Sequence, residues 1–317
     1  MSSILNYINY IASLNLREEH IFLAANMLEF RYDSLNWIVL SPESINEINK
    51  SLGINIHWAH FENAGQVLSA IEGSINNGVP VIVSANTKYL DYSKMFTNYT
   101  GRAHLITVYG IDHSCDKIYI SDARVINSEN GYYNGTLSKT RFLQAIKEAK
   151  NKILIFAGLE NIKQPDYKTA FFSCIESYLY PRSDVLGKNA VSLFFKSFAE
   201  LAFVKEEQLS HLCREIVYGM KVMDFLGARC LLRKGMDYLL SNSISKEFAE
   251  NYDRIINRYN RIALFITKLG VTQNRALIVK LQNDINILFN DELLFMEELL
   301  KLKDDVYYLP EAETYEK

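Results

Sequence analysis

A histidine opens one apolar strand pattern and an aspartate closes the next, in Ala103-His-Leu-Ile-Thr-Val-Tyr-Gly-Ile-Asp112 followed by Cys115-Asp-Lys-Ile-Tyr-Ile-Ser-Asp122. The Gly-Ile-Asp turn between them sets His104 and Asp122 in adjacent strands, where a carboxylate can orient an imidazole. Such a pair is two-thirds of a Cys-His-Asp or Ser-His-Asp device, in which the histidine moves the proton and the acid fixes its ring. The same pattern also suits a plain hairpin, with His104 bonding a turn and Asp112 and Asp122 forming turns. Other spacings carry less chemistry. His57-Trp-Ala-His60 with His20 or Glu62 offers metal donors, but no cysteine or second histidine pair accompanies it, and no metal is expected. Cys115, Cys174, Cys213 and Cys230 are too scattered for a zinc, redox or disulfide framework. Asn98-Tyr-Thr100 is a glycosylation sequon with no use in a cytoplasmic protein, and Gly131-Tyr-Tyr-Asn-Gly135 reads as a hairpin tip rather than a phosphate cradle.

These residues need a frame. Before about residue 165, short β-branched runs, Val79–Val83, Leu105–Tyr109, Lys117–Ser121 and Lys152–Phe156, read as strands. Helices are predicted over Glu18–Phe30, Ser41–Leu52 and Asn63–Asn76. After Gln164-Pro165 the pattern becomes helical, over Tyr167–Tyr178, Gly187–Phe203, Lys205–Leu226, Gly227–Ser241, Lys246–Leu269 and Thr272–Leu302. Six helices with short breaks suggest a bundle. The junction at Asn161–Asp166 is too short for a flexible linker and marks a switch of fold type.

With 317 residues, 49% hydrophobic and 22% charged, the chain can bury a substantial core, and disorder, collagen and coiled coil are excluded. A net charge of −3 leaves no basic stripe for nucleic acid or anionic lipid. The longest apolar runs fall short of the roughly 20 residues that cross a bilayer, and the start lacks a leader pattern, so a cytoplasmic protein is expected.

The strand Val79-Pro-Val-Ile-Val83, the segment Asn86-Thr-Lys-Tyr-Leu-Asp-Tyr92, the strand from His104 to Asp112, and Ile118 to Asp122 together resemble the N-terminal domain of the butirosin biosynthesis protein H family. That domain resembles the papain-like fold of bacteriocin-processing cysteine peptidases. Gly187-Lys-Asn-Ala-Val-Ser-Leu193, Gly227-Ala-Arg-Cys-Leu-Leu-Arg-Lys-Gly-Met-Asp-Tyr-Leu-Leu240 and Tyr252 to Lys268 resemble the helical domain that accompanies it. The resemblance implies an α+β papain-like (cysteine-peptidase-like) domain over residues 1–163 and an all-α domain over 164–317. It also implies natural-product (secondary-metabolite) biosynthesis by acyl transfer from an acyl-carrier-protein thioester onto an amine. A cysteine would take the acyl group, His104 would shuttle the proton and Asp122 would orient His104. The implied partner is an acyl or peptidyl carrier protein or a biosynthetic enzyme, with no cofactor, nucleic acid or membrane, and the oligomeric state is left unset.

The departure from the family falls on the nucleophile. Matching Asn26-Met-Leu-Glu-Phe30 to the end of the family's first helix puts Glu19 where the cysteine belongs, with His20 beside it if the register slips by one. Asn86 replaces an expected aspartate, and the region of Gly101 replaces a further histidine. The candidate catalytic set is therefore His104, Asp122 and Glu19, with His20, Asn86, Tyr89 and Tyr92 on the substrate side. A carboxylate at a helix start is stabilised in its charged form by about 0.3–1 kcal/mol, making it a poor nucleophile and a weak base. Glu18 and Glu19 also suit a first helical turn whatever the function. Two functions stay open: a degenerate, pseudoenzyme-like member binding a carrier-tethered acyl group or partner, and an active acyltransferase or thioester-processing enzyme using Glu19, His104 and Asp122 without a thiol.

Overall fold

The computed structural model describes residues 2–33, 37–40, 43–93, 96, 101–123, 125, 131–221 and 225–307. In chain order the first half runs α1 (Ser2–Ala12), α2 (Glu18–Ala24), β1 (Phe30–Asp33), β2 (Trp37–Leu40), α3 (Ser44–Leu52), β3 (Asn55–His60), α4 (Ala64–Asn76), β4 (Val81–Asn86), β5 (Ala103–Asp112), β6 (Lys117–Asp122), β7 (Tyr133–Ser138), α5 (Lys139–Glu148) and β8 (Lys152–Ala157). Then follow α6 (Tyr167–Leu179), α7 (Gly187–Lys196), α8 (Glu206–Lys221), α9 (Phe225–Leu240), α10 (Lys246–Thr272) and α11 (Ala276–Tyr307). The chain forms two compact units, Met1–Ile21 with Ile45–Gln164, and Phe22–Ser44 with Pro165–Lys317. Among the described residues, no helix is long and apolar enough to cross a membrane.

The first unit is α+β. Its sheet has the order β3-β8-β4-β5-β6-β7 with antiparallel neighbours. β4, buried at every position, is an interior strand, as its unbroken Val-Ile-Val run requires. One sheet face carries Val81, Val83, Ala85, Ile106, Val108, Ile118 and Ile120, packed with Val67 and Ile71 of α4 and Phe142 and Ile146 of α5. Burying each of the valine, isoleucine and phenylalanine side chains among these contributes about 1.5–3 kcal/mol. α1 instead meets the strands through Ser3, whose hydroxyl donates to the Leu105 carbonyl at 3.4 Å, and Tyr7, stacked on Phe156 at 4.1 Å. The tip joining β5 to β6 is fixed by Asp112, whose Oδ1 accepts the Ser114 and Cys115 amides at 2.9 and 3.1 Å.

The helix predicted over Glu18–Phe30 ends at Ala24. Asn26 takes a left-handed φ of 49°, the Met27 amide reaches back to the Phe22 carbonyl at 3.3 Å, and the chain enters β1 at Phe30. α1, α5 and the β1–β2 hairpin add elements that the periodicity did not single out.

The second unit is helical, with the β1–β2 hairpin included. Asp166 caps α6, its Oδ1 accepting the Lys168 and Thr169 amides at 3.0 and 3.2 Å, which is why the helical region starts just after Pro165. Ser245 caps α10 in the same way. The helix predicted over Gly187–Phe203 divides into α7 and a 3₁₀ turn, Ser197–Ala202. In the core of this unit a charged pair is fully buried: Arg229 Nη2 donates to Glu292 Oε2 at 2.8 Å, and Arg229 Nε lies 2.7 Å from Oε1. Tyr178 and Tyr259 donate to the same Oε2 at 2.9 and 2.7 Å.

Candidate active site

The β5–β6 register creates the site. Val108 pairs with Ile120 and Thr107 with Ser121, so the next step sets Asp122 across from Ile106. Alternation along each strand then puts His104 and Asp122 on one face, diagonal neighbours within reach of an imidazole and a carboxylate. His104 Nε2 lies 2.7 Å from Asp122 Oδ2. The aspartate side chain is 1% exposed and the histidine side chain 25%, so the pair has a buried end and an open end. Facing a carboxylate, Nε2 carries the proton, which leaves Nδ1 as the nitrogen able to take or give one.

A third group completes the chain. The Tyr92 hydroxyl donates to Asp122 Oδ2 at 2.8 Å, while its ring stacks on Tyr133 at 4.0 Å and meets the edge of Phe96. Phe96 also lies 4.9 Å from the His104 ring. Burial first, then the charge of Asp122, pushes the Tyr92 hydroxyl far above its ordinary range, so it stays a donor. Tyr92 is thus a holder of the aspartate, a role the sequence reading did not give it. In the helical unit burial and the Glu292 charge raise Tyr178, Tyr252 and Tyr259 likewise.

Because these folded-state values lie above the ordinary 10.0, the stability tied to the protonated phenols is fully present below about pH 10 and is lost as pH rises beyond it. A phenolate absorbance titration should therefore show an exposed class ionising reversibly and a buried class ionising only together with unfolding. Smooth, reversible ionisation of every tyrosine in a folded protein would contradict this.

Asn86 and Tyr89 converge elsewhere. The Asn86 amide donates to Glu148 Oε2 at 3.4 Å, and Tyr89 donates to the other carboxylate oxygen. Asn86 Oδ1 also accepts the Lys88 amide at 2.9 Å, capping the short 3₁₀ turn Thr87–Tyr89. Glu19 and His20 are both buried in the first turn of α2. The Glu19 carboxylate pairs with Arg17 Nε at 3.0 Å, and among the described residues it shares no hydrogen bond or ion pair with His104. His20 Nδ1 accepts the Arg17 amide at 3.2 Å, and burial, aided by the Arg17 charge, lowers its pKa and favours the neutral ring.

Cys115 sits in the β5–β6 tip, roughly 25 Å along the strand from His104. Cys174, Cys213 and Cys230 lie in the helical unit, where burial pushes the Cys213 thiol up to about 11. His57 and His60 are three apart on β3 and so point to opposite faces, and no metal-holding cluster occurs among the described residues. Asn98–Thr100 lies outside the described residues.

An antiparallel six-stranded sheet bearing a Tyr–Asp–His hydrogen-bonded chain, followed by a helical region, defines an α+β protein. Residues 1–123 match the family model described as Butirosin biosynthesis protein H, N-terminal. The match takes in Glu19, His20, Asn86, Tyr89, Tyr92, His104 and Asp122, and stops before β7, α5, β8 and the helical region. No curated protein matches the chain.

Proposed function

We propose that this is a natural-product biosynthesis protein whose papain-like α+β unit binds an acyl group tethered to a carrier protein, and that it has lost the covalent step of the acyltransferases it resembles. One observation carries the reading: the Tyr92–Asp122–His104 chain is complete, while the residue matched to the nucleophile is Glu19, engaged with Arg17 at 3.0 Å. A carboxylate in an ion pair is a weak nucleophile. Its attack on a thioester would moreover give a mixed anhydride, a higher-energy acyl donor than the thioester consumed. His104 Nδ1 then serves to bond the acyl group's polar atoms rather than to activate a thiol.

Intact-protein mass spectrometry with acyl-carrier thioesters tests this. The expected result is a non-covalent complex under native conditions, no acyl mass on the denatured chain, and unchanged thioester. An adduct at any residue of the native protein, or catalysed thioester loss, would establish the active alternative.

A further inference from the structure

α10 and α11 form a helical hairpin joined through Gln273, whose left-handed φ of 54° ends α10. A groove of about 660 Å³ runs along the pair. Its floor includes Phe265 and the buried Leu288, and its walls carry Arg261, Lys268 and Lys280. Arg258 is neutralised by an ion pair with Asp291, and Asp284 is the acidic side chain within the groove. Among the described residues, Arg261, Lys268 and Lys280 have no carboxylate partner, and the Lys280 ammonium lies 5.4 Å over the Phe265 ring. This positive strip belongs to a chain whose net charge is −3.

Exposed apolar side chains on the same two helices have a spacing of their own, and one of them, Leu264, lines the groove. Leu264 and Val271 of α10 are 61% and 79% exposed, and Ile287 and Leu294 of α11 are 56% and 60% exposed. Each pair is one heptad apart, so each stays on one outward face of its helix. Heptad-spaced apolar residues on two neighbouring helices are what a third helix requires of its seat. The concavity fits a rod rather than a planar lipid surface, and the apolar floor argues against a phosphate backbone as the occupant.

We propose that this groove docks an acidic amphipathic helix of a partner protein. Its apolar stripe would lie on Leu264, Val271, Ile287 and Leu294, and its carboxylates on Arg261, Lys268 and Lys280. The docking surface is argued independently of the chemistry at His104.

The test uses the full chain and a fluorescent synthetic helix with leucine at heptad positions and glutamate flanking them. A scrambled peptide of the same composition and phosphatidylglycerol vesicles serve as controls. Anisotropy should show saturable binding of the amphipathic peptide that weakens as salt is added. The combined Arg261→Glu, Lys268→Glu and Lys280→Glu changes, and separately Leu264→Asp with Ile287→Asp, should each weaken it by roughly tenfold or more. These positions are at the surface, and circular dichroism of each variant should match the parent. Absence of binding, or equal binding of the scrambled peptide, overturns the proposal. Vesicle binding lost in the charge variant without peptide binding would assign the groove to a membrane. Self-association lost in the Leu264→Asp and Ile287→Asp variant would assign it to a second copy, and either outcome also overturns it.

Discussion

Glu292→Gln should destabilise the helical unit by about 3–5 kcal/mol, because it strands the Arg229 guanidinium in a fully buried site without its counter-charge. The glutamine can still accept from Tyr178 and Tyr259, so the loss isolates the charge rather than the volume. Arg229 is held on every side. Its guanidinium centre lies 3.7 Å from the Phe225 ring centroid and 4.6 Å from that of Tyr259, and Nη1 donates to the Phe225 carbonyl at 2.9 Å. A planar, delocalised cation can stack and donate at once, whereas a lysine ammonium cannot, so Arg229→Lys should also be costly. By contrast, Arg229→Met combined with Glu292→Leu removes both charges and should recover most of the loss, since replacing a buried pair by apolar groups is often neutral. Urea unfolding at constant m decides it. A Glu292→Gln cost below about 1 kcal/mol would mean that water or another carboxylate reaches Arg229.

That network lies inside a stretch whose helices were legible from sequence and whose polar core was not. α6, α9, α10 and α11 announce themselves through long apolar stripes and through capping residues such as Asp166 and Ser245. Arg229 sits on an apolar stripe between Leu226 and Leu232, and nothing local says that it turns inward, because its partner is 63 residues away. The same holds for the candidate site. Alternation and the short turn place His104 and Asp122 on adjacent strands, but strict alternation from that turn would set Asp122 across from Thr107, with His104 on the other face. The register shift between Val108 and Gly110 brings them onto one face, and nothing in the pattern announces it. Tyr92 reaches Asp122 from a segment with no period, and Glu148 meets Asn86 and Tyr89 from a helix that the periodicity left unread. α5 did carry a signal, with Ser138 as its cap and Phe142, Ala145 and Ile146 at helical spacing. The run from Ile21 to Phe30 fails for a different reason. Its residues suit a helix and a buried turn equally well, and the left-handed Asn26 settles the matter only when tertiary packing is present.

The variant Glu19→Cys should form an acyl adduct on incubation with acyl-carrier thioesters. The substitution exchanges a carboxylate for a thiol beside Arg17, whose guanidinium, 3.0 Å from the present carboxylate, would favour the thiolate. Thioester exchange onto a thiolate is close to balanced because attacking and leaving sulfurs have similar pKa values, so no high-energy anhydride stands in the way. If the α+β unit has the papain-like arrangement, His104 serves this thiol as the proton carrier, held by Asp122 at 2.7 Å. Adding His104→Ala to Glu19→Cys should then slow acylation by roughly 10²–10⁴-fold, the usual contribution of a positioned acid–base group. Tyr92→Phe, which leaves the imidazole in place but removes one donor to its carboxylate, should slow it far less. Intact mass and peptide mapping locate the adduct. Acylation indifferent to His104→Ala would mean that the new thiol reacts as an ordinary surface-type nucleophile and that Glu19 is not the histidine's partner position. No acylation at all, with the carrier still bound non-covalently, would place the loss in substrate presentation rather than in the nucleophile alone.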